Sequence, residues 1–251
     1  MKTIAIYNIK GGVGKTASAV NLSFLASLDG ANTLLWDLDP QGAASYYCKI
    51  KPEIKGGGKK LIDGKIDLEE AIRGTDYENL DLLPSDFTYR HMDTFLEKTK
   101  DPVDRFNQLL KPLAEEYDYI FLDCPPSISS VSESVFAAAD ILLVPTIPTT
   151  LSLRTYQQII EFFKQQGIEQ TKVMPFFVMV DRRKNMHRLI VQHPPSFMSN
   201  VLQSNIPYAS EVERMGIYRA PVTVFAARSR AAKCYTSMWD ELRQLLYFLD
   251  E

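Results

Sequence analysis

Cysteine is scarce in this 251-residue chain: Cys48, Cys124 and Cys234 are its three thiols, and they lie far apart. That odd number and spacing exclude a disulfide framework and do not make a zinc site; they fit free thiols in a reducing compartment, so a cytoplasmic protein is expected. Histidine is equally rare, at three, and none is assigned to catalysis. No apolar run approaches the length that spans a bilayer. The opening one, Thr3 to Ile9, is too short for a signal-peptide core and runs into Lys10 and two glycines. Excess positive charge is missing too: 28 Lys and Arg against 31 Asp and Glu leave a net charge of -3. A uniformly basic nucleic-acid binder is thereby excluded, and only a local basic patch is left open.

What is present is ordinary globular usage, with 45% hydrophobic and 24% charged residues, and one domain over residues 1–251 is the default at this length. Strands are expected at Thr3–Ile9, Thr33–Leu38, Leu80–Pro84, Tyr119–Asp123, Ile141–Pro145 and Val173–Val180. Several of these, such as "IFLD" and "ILLVP", are almost wholly apolar, as strands covered on both faces are. Between them, residues 15–28, 105–116, 129–139 and 151–166 place apolar side chains three and four apart, with Gly30 and Gly167 positioned to stop helices. The alternation predicts an α/β fold, doubly wound, with a mostly parallel sheet flanked by helices and ligands bound beyond the C-terminal strand ends. Residues 51–65, rich in Gly and Lys, read as an exposed mobile loop. The prolines of "VQHPPSF" should break a helix, and Ser229 to Leu249 reads as a closing amphipathic helix.

The stretch "NIKGGVGKT" departs from the common phosphate-loop rule, because Ile9 stands where the first glycine belongs. Gly11, Gly12 and Gly14 still allow a tight turn that aims amide protons at one point ahead of a helix, where an anion binds. Lys15 supplies a point charge for β- and γ-phosphates, and the Thr16 hydroxyl is placed to ligate Mg²⁺. Asp37 and Asp39, two apart at the end of the second strand, project to the same side of an extended chain. Asp123 closes the apolar strand "YIFLD" ahead of a turn at Pro125–Pro126. Cys124 beside it reads as a small buried filler.

"KGGVGKT", "LLWDLDPQG" and "YIFLDCPPS" in this order resemble the motifs of the ParA/MinD superfamily, the P-loop NTPases with a deviant Walker A loop. The resemblance implies an ATP hydrolase that uses ATP and Mg²⁺ and forms a homodimer in the ATP state. Lys10 would be the signature lysine that reaches the partner subunit's phosphates. Lys10, Gly11, Gly12, Val13, Gly14, Lys15, Thr16 and Ala17 would embrace the nucleotide, with Lys10, Lys15 and Asp39 as the catalytic set and Asp39 positioning the attacking water. Asp37 would support the Mg²⁺ site together with Thr16, and Asp123 would hold the ion through water. "VDRRKNMHRL" resembles a stretch near the adenine, which points to Asp181 and Arg183. Ala17, Ile147 and either Thr149 or Thr150 depart from the residues common in partition ATPases, which suggests a divergent subgroup.

Within the family, ParA-like members bind double-stranded DNA without sequence preference and move a plasmid, a chromosome or a protein body, while MinD-like members bind membranes. Arg214, Arg219, Arg228, Arg230 and Lys233 form a run without an acid, suited to DNA phosphates. Glu211, in contrast, falls near a position where some members carry an arginine. The tail sets Asp240, Glu241, Asp250 and Glu251 against Arg243 alone, so no stable association with anionic lipid is expected. The reading is a nucleoid-associated cargo-positioning ATPase stimulated by an adaptor. Its alternatives are a MinD-like membrane regulator and an ATP-switched scaffold for secretion. An iron-sulfur reductase would need a cysteine pair that the three cysteines do not resemble.

Overall fold

A computed structural model describes residues 1–248. Seven strands, β1 Lys2–Ile6, β2 Thr33–Asp37, β3 Arg73–Gly74, β4 Leu80–Leu83, β5 Tyr119–Asp123, β6 Ile141–Thr146 and β7 Val173–Phe177, form one sheet in the order β3-β4-β2-β5-β1-β6-β7. All neighbours run parallel except the short β3, which pairs antiparallel with β4. The helices are α1 Lys15–Leu28, α2 Ala43–Tyr47, α3 Gly57–Ile62, α4 Leu68–Ala71, α5 Met92–Leu96, α6 Pro102–Leu110, α7 Ser130–Ala138, α8 Thr150–Gln165 and α9 Asn185–Gln192. Three short turns, α10 Ser210–Glu213, α11 Met215–Tyr218 and α12 Val222–Phe225, lead into α13 Arg230–Phe248.

The nearly all-apolar strands follow from burial on both faces, because successive side chains point to opposite sides of a strand. On β2, Leu34 and Trp36 enter one core and Leu35 the other; on β5, Ile120 and Leu122 part from Phe121 in the same way. The first core is closed by α6, α7 and α8 through Phe106, Val135, Ile159 and Phe163, with Trp36 stacked on Phe106 at 5.4 Å. The second is closed by α1 and α13 through Leu22, Trp239 and Leu242. Helix α13 is also tied by polar contacts. Trp239 Nε1 and Arg243 Nη1 both donate to Asp29 Oδ2 at 2.7 and 3.1 Å, and Glu241 accepts from the amides of Gln203 and Ser204. It is a helix docked on the core. Leu249, Asp250 and Glu251, which the expected helix and acidic tail included, lie outside the described residues.

One edge of the sheet is short and the other is covered. β3 contributes only two residues, and the chain after β7 folds back along it, with Leu202 N donating to Pro175 O, Ile206 N to Phe177 O and Tyr208 N to Val180 O.

Two expectations need correction. Residues 51–65 are not a wholly exposed loop: α3 lies within them, and Ile54, Leu61 and Ile62 are buried in the first core. Gly and Lys dominate the composition there, but a few apolar side chains suffice to dock a short helix. The helix expected over 105–116 instead starts at Pro102, where the Asp101 carboxylate accepts from Asp104 N, and ends at Leu110; Pro112 then opens a separate 3₁₀ turn. The remaining strand and helix expectations hold to within a few residues, and α9 stops at Gln192, just ahead of the two prolines.

Candidate nucleotide site

Beyond the end of β1 the chain enters the glycine loop. Asn8 is buried and holds the loop's base: its Nδ2 donates to Pro145 O at 2.9 Å and its Oδ1 accepts from Lys10 N at 2.9 Å. Gly12 and Gly14 have φ of +70° and +80°, which L side chains rarely adopt, so the backbone demands glycine at both positions. A Cβ placed on Gly11, Gly12 or Gly14 would meet no protein atom within 4 Å, so the loop surrounds open space. Gly14 caps α1 without a side-chain acceptor, and no acidic residue occupies the first turn. The free amides and the positive helix end therefore face that space, as an anion site requires.

Lys15 is only 7% exposed, and its ammonium donates to Lys10 O at 3.2 Å. Burial pulls its pKa down, opposed by the negative charge of Asp123 and Asp39. A phosphate beside it would restore the balance. Lys10, five residues earlier, is exposed. The loop thus separates its two lysines, one turned inward and one outward.

The carboxylates gather at the ends of β2 and β5. Asp37 and Asp123 are partners in register and both fully buried. Asp37 Oδ2 accepts from Ser45 N at 2.8 Å and Ser45 Oγ at 2.7 Å, while its Oδ1 has no partner. Neither oxygen of Asp123 has a hydrogen-bond partner. Burial, partly offset by the Ser45 bonds, raises the Asp37 pKa to about 6. Burial and the Asp37 charge push Asp123 well above the carboxylate range, while Thr16 and Lys15 draw it back. The Thr16 hydroxyl influences Asp123 from just outside good hydrogen-bond geometry. Three buried carboxylate oxygens without donors fit a cation. Among the described residues no three Asp, Glu, His or Cys side chains converge as a metal cage. A divalent ion here would share its coordination with phosphate oxygens and water, as Mg²⁺ usually does. Asp39 is half-buried, with Oδ1 accepting from Gln41 N at 2.9 Å. Cys124 is buried as expected, and burial pushes its thiol pKa up, so it is inert.

A narrow cavity of about 40 Å³ opens beside Gly14, lined by Val178, Met179, Pro207, Tyr208 and Tyr235 among others. Sequence reasoning missed it, since its walls come from four separate stretches; the one local signal, "NIPYAS", reads only as a loop. Asp181 and Arg183 follow Val180, whose carbonyl accepts from Tyr208 N at this cavity. They pair with each other in a fork, Arg183 Nε and Nη2 donating to the two Asp181 oxygens at 2.9 Å each. That pairing holds the Asp181 carboxyl down at about 2.

The basic run does not form one surface. Arg219 adopts φ 49°, unusual for a side chain other than glycine, stacks its guanidinium 4.5 Å above the Tyr46 ring and donates Nε to Tyr46 O at 2.9 Å. Arg214 is exposed near the Tyr218 ring. Arg228, Arg230 and Lys233 are exposed, and the last two line a cleft of about 210 Å³ with Ser204, Asn205 and Arg182. Arg182 was not anticipated, because it joins the cleft from a distant loop.

A family model described as an AAA domain matches residues 1–174. The chain is 28% identical over 247 residues to the sporulation initiation inhibitor protein Soj of Bacillus subtilis, covering 96% of this chain and 98% of that protein. It is 29% identical over 248 residues to the chromosome partitioning protein ParA of Myxococcus xanthus, covering 96% and 87%. Among solved structures, a McdA variant of Cyanothece in complex with ATP superposes with a TM-score of 0.82 at 22% identity, covering 96% of each chain. A cobyrinic acid a,c-diamide synthase of Mycobacterium smegmatis with an ATP analogue and magnesium gives 0.82 at 23% identity, covering 97% and 95%. The cell division ATPase MinD of Pyrococcus furiosus gives 0.77 at 20%, covering 97% and 99%. No described helix is long and apolar enough to cross a membrane. Where a glycine loop with an extra lysine, paired buried aspartates on adjacent strands and these likenesses coincide, the chain belongs to the ParA/MinD superfamily of P-loop ATPases, as a ParA-type member.

Proposed function

We propose that this chain binds ATP with Mg²⁺, pairs with a second copy around two nucleotides, and in that state holds double-stranded DNA non-specifically to distribute a cargo. The observation that carries the reading is the contrast between the loop's lysines: Lys15 buried against the phosphate space, Lys10 exposed at the rim. A lysine on the outside of its own loop is free to neutralise phosphates across an interface, where a second charge in a drier medium acts more strongly.

Within one subunit, the amides of Gly11 to Thr16 and the Lys15 ammonium hold the phosphates. Thr16, Asp37 and Asp123 would hold Mg²⁺, which when bound neutralises charge on the β- and γ-phosphates. Asp39 orients the attacking water, and no nucleophilic side chain is required, since phosphoryl transfer rests on positioning and charge. The base would lie across the mouth of the narrow cavity beside Gly14, against Pro207 and Tyr208, with the Asp181–Arg183 fork in the neighbouring loop. The relatives named for partitioning support the cargo role, and an adaptor on the cargo would stimulate hydrolysis and release the DNA.

The test is light scattering with and without ATP. The wild-type chain should double its mass with ATP, and Lys10→Ala should stay single while still binding nucleotide. A variant that dimerises normally would overturn the role of Lys10.

A further inference from the structure

The geometry points to Ser85 as a positioning residue for hydrolysis, one that fixes the Asp39 turn from the neighbouring strand. This rests on the reading that Asp39 orients the attacking water. Ser85 follows Pro84 at the end of β4, beside β2, and has no exposed surface. Its side chain and its amide reach different catalytic strand-end groups. The hydroxyl donates to Asp39 O at 2.5 Å, and the amide donates to Ser45 Oγ at 3.0 Å. Ser45 Oγ in turn donates to Asp37 Oδ2 at 2.7 Å.

Chemistry leaves no choice about the protons. A carbonyl only accepts, so the Ser85 proton lies on the Asp39 bond; a buried carboxylate with Ser45 as its donor takes the Ser45 proton. One residue thereby sets the main chain of Asp39 and, through Ser45, the orientation of Asp37. Asp39 O also accepts from Gly42 N at 2.9 Å, Leu38 N just before it donates to Asp123 O at 3.0 Å, and the Asp39 side chain accepts from Gln41 N. Without the Ser85 hydroxyl, the half-buried Asp39 carboxylate would lose a fixed origin, and a shift of about 1 Å in a positioned group costs up to about 10²-fold in rate. The hydrogen bonds of Ser85 run to Asp39 and Ser45 and not to the glycine loop or Asp123, so ground-state binding should be spared.

The experiment is steady-state ATP hydrolysis by the full chain with saturating Mg²⁺, alongside thermal unfolding and affinity for a non-hydrolysable ATP analogue. Ser85→Ala should lower kcat by about 10- to 100-fold with KM and analogue affinity within about twofold of wild type. Ser85→Cys, which keeps the volume but replaces a strong donor by a weak one, should fall in kcat similarly and carries the test if the alanine variant does not fold. Ser45→Ala should instead raise the Mg²⁺ concentration needed for half-maximal rate. Wild-type kcat in either folded Ser85 variant, or a rise in KM with kcat unchanged, overturns the proposal. No turnover by the wild-type chain overturns the hydrolytic reading, and this inference with it.

Discussion

Asp37 and Asp123 face each other across β2 and β5 as register partners, both fully buried, with three of their four oxygens lacking any donor. Burial in a low-dielectric interior is what chiefly raises the pKa of each; the Asp37 charge adds to it at Asp123, and the Asp39 charge at Asp37. Asp123→Asn removes one charge. It should raise the thermal midpoint of the metal-free protein by a few degrees, since about 1 kcal/mol corresponds to about 2–4 °C at this size. The same change should abolish the gain in stability that Mg²⁺ with ATP gives the wild type. Differential scanning calorimetry with and without both ligands decides it; an unchanged response to Mg²⁺ would remove Asp123 from the metal site.

Asp39→Ala should leave ATP binding intact and stop turnover, so that ATP-loaded dimers accumulate. Phosphate release and gel filtration after mixing with ATP report the two halves. Dimers that decay at the wild-type rate would contradict the water-orienting role.

DNA affinity measured against salt separates the arginines. Each neutralised phosphate contributes about 0.9 to the slope of log K against log salt. Changing Arg228 and Arg230 to alanine together should therefore flatten the slope by up to about 1.8. Arg219→Ala should scarcely change it, because that guanidinium is already committed to Tyr46. Equal losses from both changes would mean that Arg219 leaves Tyr46 to meet DNA.

His187 makes the fold acid-sensitive. It is buried, its Nδ1 accepts from Asp181 N at 3.2 Å, and its Nε2 has no partner. Burial and the Lys184 charge lower its pKa, against the pull of Asp181. Because the folded value lies below the unfolded one, near 6.5, the unfolded chain takes the proton first. Stability is then fully present above about pH 6.5 and declines as pH falls below it. His187→Gln, which keeps an acceptor but does not titrate, should flatten urea midpoints between about pH 7 and 5. A parallel decline in both proteins would exonerate His187.

The strands, the glycine loop and the order of the aspartates were legible because each is a local pattern: an apolar run, a turn that only glycine permits, a carboxylate at a strand end. Ser45 and Ser85 were not, since neither does anything until β2, α2 and β4 meet. The cavity beside Gly14 was hidden for the same reason, being assembled from residues near 14, 178, 207 and 235. Arg219 shows the converse error. In the sequence it is one more cation in a basic run; its left-handed backbone and the nearby Tyr46 ring give it an internal partner. Helix α3 was obscured by a composition of lysines and glycines; its docking rests on Ile54, Leu61 and Ile62 and on Gly58, whose missing side chain lets the helix approach Tyr89.

At one margin of the sheet lies a two-residue antiparallel strand, and at the other the returning segment around Leu202 to Tyr208 already donates to the β7 carbonyls of Pro175 and Phe177. A chain adding to the β7 margin would have to displace that segment, and one adding at β3 would find a template of only two residues. Assembly through side-chain surfaces is therefore the easier route, and such contacts come apart on dilution more readily than a shared ladder of amides.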